Sequence, residues 1–231
     1  VKKLYSAIFL LVFSAVFSFA QEAETQERII TANDYLNTVA AAYAEITDYE
    51  AKVTITKEKE VMTGVLYYKN PSLLRINFEQ PEDQVLVVDK EKLVIHIPKY
   101  RVTMSQKLKK GAGITGGAVL AGSEGLKLLK RNYTVAYLES PDYVPLDEGS
   151  EDLVIKLKFE WRSSDEGFRQ IILSVDQNNL IRRLIGVTSD YAEIRFDFAD
   201  IKTNQSIPDT RFEYDSPASA NTFENFLFEA E

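Results

Sequence analysis

Enzymes that activate water or a nucleophile need a tuned base, a thiolate or a bound metal, and this chain has few of those parts. It has no cysteine and a single histidine, His96. Thiolate nucleophiles, cysteine-ligated metals and paired-histidine metal motifs are therefore excluded. A serine nucleophile on a strand-to-helix elbow calls for Gly-x-Ser-x-Gly, which does not occur. His96 stands between Ile95 and Ile97, where a solvent-facing or hydrogen-bonded strand residue is expected rather than a general base. Gly111-Ala112-Gly113-Ile114-Thr115-Gly116 matches the dinucleotide fingerprint letter for letter. That fingerprint works only between a strand and a helix of a parallel unit, and the neighbouring segments alternate like antiparallel strands. The run is read instead as a lid or loop. The adjacent acids Glu82-Asp83 and Asp147-Glu148 fall in turns near prolines. Solvated carboxylates are routine there, whereas a glycosidase needs two acids facing across a cleft. What remains to carry a function is apolar.

The elements that would position those apolar residues are mostly strands. Residues 29–46 carry one helical stripe, Ile29, Leu36, Val39, Ala40 and Tyr43, with Asn33 and Asp34 suited to its first turn. After Asp48 the period becomes two. Alternation and turn residues predict about eleven strands, with a further short one at Phe212–Tyr214. Asp176-Gln177-Asn178-Asn179 has the composition of a hairpin turn that tolerates positive φ. The stretch 109–129 interrupts the meander: a glycine-rich insertion, then a short amphipathic helix carrying Leu126, Leu128 and Leu129. No repeat and no dividing linker is visible, so residues 21–231 are expected to form one domain.

The first twenty residues have the pattern of an export signal: Lys2-Lys3, an apolar run from Leu4 to Phe17, then Ser18-Phe19-Ala20. Cleavage is expected after Ala20, which places the product in the periplasm. Losing two lysines and no acid moves the formal charge from −8 to −10. So acidic a chain is poorly suited to nucleic acid or to an anionic membrane.

Strands with one wet and one apolar face must cover that face or curl around it. Leu74, Ile76 and Phe78 share one side, as do Ile194, Phe196 and Phe198, while Arg75, Asn77, Glu193, Arg195 and Asp197 belong in water. Two helical segments are too few to cover so long a sheet. The expected fold is mainly β (α+β): an incomplete antiparallel β-barrel lidded by helices. Alternation reports burial and not vacancy, so these residues either pack as ordinary core or line a cavity.

The stretch from Gly64 to Pro98 resembles the LolA family of periplasmic outer-membrane lipoprotein carriers. Carrying the likeness are Gly64-Val65-Leu66-Tyr67-Tyr68-Lys69-Asn70-Pro71, the alternating Leu73–Phe78, Gln80-Pro81, Val85–Asp89, Leu93–Ile95 and Ile97-Pro98. A weaker likeness takes in Ile46–Tyr49 and Ile207–Phe212 with Pro217. The resemblance implies a barrel whose cavity holds acyl chains. Its lining would be Leu66, Leu74, Ile76, Phe78, Leu93, Ile95, Ile194, Phe196 and Phe198, and its lid Ile114, Val119, Leu120 and Leu126. It further implies a monomeric, non-enzymatic carrier without cofactor. Its partners would be lipoprotein acyl chains or lipid, an inner-membrane lipoprotein-releasing transporter and an outer-membrane acceptor. Two features depart from the family pattern. Enteric members carry, directly before the turn proline, an arginine that helps hold the lid, and Asn70 stands there with Lys69 before it. The family's Asp-Gly turn is Asp89-Lys90. The alternatives are a carrier of free lipid or glycolipid, a sensor of mislocalised lipoprotein, or a module whose barrel is simply filled.

Overall fold

The computed structural model describes residues 30–89, 91–108 and 122–226. Helix α1 (Ala32–Ala44) is capped by Thr31, whose hydroxyl accepts from the Asp34 amide at 3.1 Å and donates to the Asp34 carboxylate at 2.8 Å. The helix therefore starts ahead of Asn33, and its buried stripe is Ala32, Tyr35, Leu36, Val39 and Tyr43. Ile29 lies outside the described residues. A meander follows: β1 (Asp48–Lys57), β2 (Glu60–Lys69), β3 (Leu73–Gln80), β4 (Val85–Val88), β5 (Lys92–Ile97) and β6 (Val102–Lys107). Helix α2 (Ser123–Asn132) buries Leu126 and Leu129 and carries Lys130 and Arg131 in its last turn, where cations suit the helix dipole. It leads directly into β7 (Tyr133–Tyr137), followed by β8 (Val144–Pro145), β9 (Leu153–Trp161), β10 (Gln170–Asp176), β11 (Ile181–Val187), β12 (Glu193–Thr203) and finally β13 (Asn221–Glu224). At the β10–β11 turn the Asp176 carboxylate accepts from the Asn178 and Leu180 amides, and Asn179 takes φ 60°, as its composition predicts.

All thirteen strands join one sheet, in the order β13-β6-β5-β4-β3-β2-β1-β12-β11-β10-β9-β7, with β8 also on β9. Every pairing is antiparallel except β13 on β6, and the sheet is open, an incomplete barrel. Alternation predicts about eleven strands; the two extra ones, β8 and β13, are too short to show a period. Phe212–Tyr214 is not a strand: Asp209–Phe212 is a 3₁₀ turn, and the last strand forms further on.

Both helices lie on the inner face, in one apolar cluster with β1 to β5, β7 and β9 to β12. The outer face is treated differently in its two halves. Over β9 to β12 it is wet and bears ion pairs such as Lys158–Glu160 and Arg183–Asp197. Over β1 to β6 it is crossed by residues 204–220, a strap tied down strand by strand. The buried Asp48 carboxylate accepts from the Gln205 amide at 2.7 Å and the Ile207 amide at 3.3 Å. Lys69 donates to the Ile207 carbonyl at 2.7 Å, and Arg75 to the Arg211 and Glu213 carbonyls at 3.1 Å each. Leu73, Ile207 and Phe212 form a small second core beneath it. The strap ends as β13, paired along β6.

Candidate functional site

Register carries the inner apolar set across the sheet without a break. Leu66 faces Ile76, Ile76 faces Leu86, and Leu86 faces Ile95. In the other direction Val53 faces Phe198, and Ile55 faces Phe196, which in turn faces Leu184. Gly64 allows β2 and β3 to approach, since a Cβ there would stand 2.3 Å from the Asn77 carbonyl oxygen. The nine expected lining residues thus share one face. Leu66, Leu74, Ile76, Phe78 and Leu93 are buried, and Ile95, Ile194, Phe196 and Phe198 are half-buried against the same cluster. Of the expected lid residues, Leu126 is buried on α2. Ile114, Val119 and Leu120 lie outside the described residues.

Burial along this face is graded from one end of the strands to the other. At the end bearing the turn 70–72, where β4 finishes and β5 begins, Tyr49, Tyr68, Leu74, Val88 and Leu93 are all buried. At the end bearing the turns 58–59, 81–84, 98–101 and 188–192, Met62, Leu86, Ile95, Ile194 and Phe196 are half-buried, whereas Ile55 and Phe78 are buried. The inner face is therefore closely packed at one end, while at the other half-buried residues stand beside the buried Ile55 and Phe78. Met62 and Leu86 belong to this band although neither is among the nine expected lining residues. The signal was available, since Met62, Gly64, Leu66 and Tyr68 continue one two-residue period.

Tyrosines make the seal. The Tyr43 and Tyr49 rings meet edge-on at 6.5 Å, and Tyr49 lies 5.3 Å from Tyr68. The Tyr68 hydroxyl donates to the Pro71 carbonyl at 3.0 Å, and the Tyr43 hydroxyl accepts from the Ile181 amide at 3.0 Å. Gly122, directly before α2, sits against Tyr68, and a Cβ there would come within 2.1 Å of the phenol oxygen. Burial pushes the Tyr68 phenol up to about 12 and raises those of Tyr43 and Tyr49 as well, so the seal stays neutral at any physiological pH. Tyr35, also on α1, is an exception: its buried hydroxyl has no hydrogen-bond partner among the described residues.

The residues that could have done chemistry are occupied structurally. His96 is buried on the outer face, not solvent-facing: its Nδ1 lies 2.9 Å from the Thr103 hydroxyl, which lies 2.6 Å from that of Ser216 in the strap. Tyr214 of the strap packs over its ring at 5.8 Å. Asp147 receives two hydrogen bonds from Arg183, at 2.7 and 3.0 Å, which hold its carboxyl below the ordinary range. Glu82 and Asp83 are exposed in the β3–β4 turn. Among the described residues no three His, Asp or Glu side chains are grouped to hold a metal ion. Lys69, next to the position of the enteric arginine, faces outward and grips the strap through Ile207 and Asp209, not a lid.

Known proteins bear on this geometry at two levels. At the level of fold, a conserved uncharacterised protein from Thermus thermophilus superposes with a TM-score of 0.54 at 14% identity, covering 84% of this chain and 98% of that one. A structure of MucB superposes at 0.51 and 13% identity, over 82% of this chain and 64% of that one. At the level of sequence, the outer-membrane lipoprotein carrier protein of Methylococcus capsulatus is 21% identical over 212 residues, 90% of this chain and 93% of that relative. The protein of the same name from Pseudomonas aeruginosa is 22% identical over 217 residues, 93% and 94% of the two chains. The family model for the outer membrane lipoprotein carrier protein LolA matches residues 37–215. That span runs from α1 through the strap as far as Asp215, and the chain belongs to the LolA family.

Proposed function

We propose that this protein is a periplasmic carrier that takes up the acyl chains of lipoproteins on its inner face and passes them from the inner to the outer membrane. The observation that carries the reading is the continuous apolar inner face, closed by tyrosines at one end and only half-buried along Met62, Leu86, Ile95, Ile194 and Phe196 at the other. A continuous apolar band is suited to shielding hydrocarbon from water. Burying a chain of about sixteen carbons gains roughly 12 kcal/mol at about 0.8 kcal/mol per methylene. Release therefore needs an acceptor offering equal burial. The partners of this reading are an inner-membrane transporter that loads the chain and an outer-membrane acceptor that empties it. Export through residues 1–20, with cleavage after Ala20, completes it, and a single domain over 21–231 does the carrying.

The test is to place a photoreactive phenylalanine analogue at Phe196 and irradiate cells exporting the protein. The expected adduct contains an acylated amino-terminal peptide of a lipoprotein. Adducts to phospholipid or free fatty acid alone would replace the lipoprotein cargo with free lipid. Irradiation that yields no acyl adduct would count against the inner face as a binding surface.

A further inference from the structure

The end of the sheet where the inner face is half-buried also presents exposed rings. Tyr100, in the 3₁₀ turn between β5 and β6, is 65% exposed, and Tyr191, in the β11–β12 turn, is 70% exposed. Phe223 is 55% exposed on the edge strand β13. It stands opposite Met104, which stands opposite Ile95, so it carries the half-buried row outward to the edge. Exposed apolar side chains scattered singly are ordinary, but these adjoin one another's end of an apolar face. Each tyrosine has a cation of its own. The Lys99 ammonium lies 5.6 Å from the centre of the Tyr100 ring, and the Arg169 guanidinium 4.1 Å from that of Tyr191. Tyr191 takes φ 68°, an unfavourable conformation for so large a residue. Its amide donates to the Thr188 carbonyl at 3.0 Å, and the Thr188 hydroxyl bonds Asp190, so the turn holds the ring at its tip. Around these rings the charges interleave: Lys59, Lys99 and Arg101 stand among Glu58, Glu82 and Asp83, all exposed.

A phenol ring beside a cation suits a lipid–water interface, with the ring at the headgroup level and the cation at the phosphates. We propose that this rim seats on the surface of a zwitterionic bilayer, with Tyr100 and Tyr191 at the headgroup–acyl boundary, Lys99 and Arg169 at the phosphates, and Phe223 along the edge. Charges of both signs match headgroups that carry both, whereas a chain this acidic is repelled by an anionic surface. The depth fits as well. A strand rises about 3.3 Å per residue, which places Met62, Leu86 and Ile194 about 10 Å from the turn tips. The headgroup layer is roughly 5–8 Å deep. A seated rim therefore brings the half-buried band to the lipid's outer edge, where an apolar chain can cross with little exposure to water. Use of the contact in loading or unloading rests on the carrier reading; the contact itself rests on the side chains of the rim.

The test is flotation of the exported protein on a density gradient with phosphatidylcholine vesicles. A fraction should float, and that fraction should change little between low and physiological salt. Tyr100→Ser with Tyr191→Ser should lower it about fivefold while leaving the melting temperature and the uptake of a fluorescent fatty acid unchanged. Tyr143→Ser, an exposed tyrosine at the opposite end of the strands, should float like the parent. No flotation, or flotation undiminished in the double variant, would overturn the proposal. So would flotation confined to phosphatidylglycerol vesicles and lost at physiological salt, which would assign the contact to cations alone. A tyrosine-dependent dimer in place of vesicle binding would assign the rim to a second copy and overturn it too. Flotation by a protein that refuses the fatty acid would uphold the contact and count against the carrier reading alone.

Discussion

The two faces of the sheet are built on different principles, although the same strands supply both. The inner face of β1 to β5 is held mainly by apolar contact, through Leu66, Leu74, Ile76 and their cross-strand neighbours. The outer face of the same strands is held by directed bonds: Asp48 to two strap amides, Lys69 and Arg75 to strap carbonyls, and His96 through Thr103 to Ser216. Apolar contact is non-directional and tolerates exchange of what it touches. Directed bonds fix one geometry, and leaving a buried partner unsatisfied is costly. The molecule thus keeps its adaptable surface inside and its specific one outside, which is the division a carrier needs.

The largest effect should come from breaking the sealed end of the inner face. Leu74→Glu places an unpaired charge at a buried position facing Val88 and Tyr68, and the protein should fail to fold or lose several kcal/mol. Leu74→Ala should cost about 2–5 kcal/mol by urea unfolding. Next comes the first anchor of the strap. Asp48→Ala leaves the Gln205 and Ile207 amides without their acceptor and should cost about 1–3 kcal/mol, with faster amide exchange across 205–216. If exchange there does not change, the strap is held by its small apolar core instead.

The half-buried end separates binding from stability. Phe196→Ser, at a half-buried position, should lower stability by only about 1 kcal/mol and yet weaken uptake of a fluorescent fatty acid severalfold. Equal losses in Leu74→Ala and Phe196→Ser would erase the difference between the two ends. A smaller effect is expected at Arg183. Its bonds depress the Asp147 carboxyl from its ordinary 3.8, so the stabilisation is present above about pH 4 and drains as the pH falls through the lowered value. Asp147 is well exposed, so Asp147→Asn should cost no more than about 0.5 kcal/mol at neutral pH and progressively less as the pH falls below the ordinary carboxylate range. The smallest change is Tyr35→Phe. It removes a buried hydroxyl that makes no close hydrogen bond among the described residues, with Tyr143 nearby, and should leave the melting temperature nearly unchanged.

Much of the inner face was legible in the sequence because a two-residue period is visible one strand at a time. Leu74-Ile76-Phe78 and Ile194-Phe196-Phe198 alternate with charges, and all six came to the expected side. The outer face was not legible, because the strap has no period. Its anchors are single polar residues more than a hundred positions from their partners, as Asp48 is from Ile207 and Thr103 from Ser216. His96 reads from its neighbours as a solvent-facing or hydrogen-bonded strand residue; it is the second, bonded to Thr103, and its cover by Tyr214 comes from a distant segment that no local pattern shows. The strands β8 and β13 escaped because two and four residues cannot establish alternation. The grading of burial along the inner face depends on where α1 and α2 come to rest, which no local pattern encodes.

The most direct test of the carrier reading is native mass spectrometry, with lipid extraction, of the protein purified from the periplasm of its own cells. The predicted result is a bound species carrying a lipoprotein or its acylated amino-terminal peptide, absent from a Phe196→Ser variant that is still folded. A protein recovered empty that also refuses a fluorescent fatty acid would contradict it, leaving a LolA fold whose inner face is only a core.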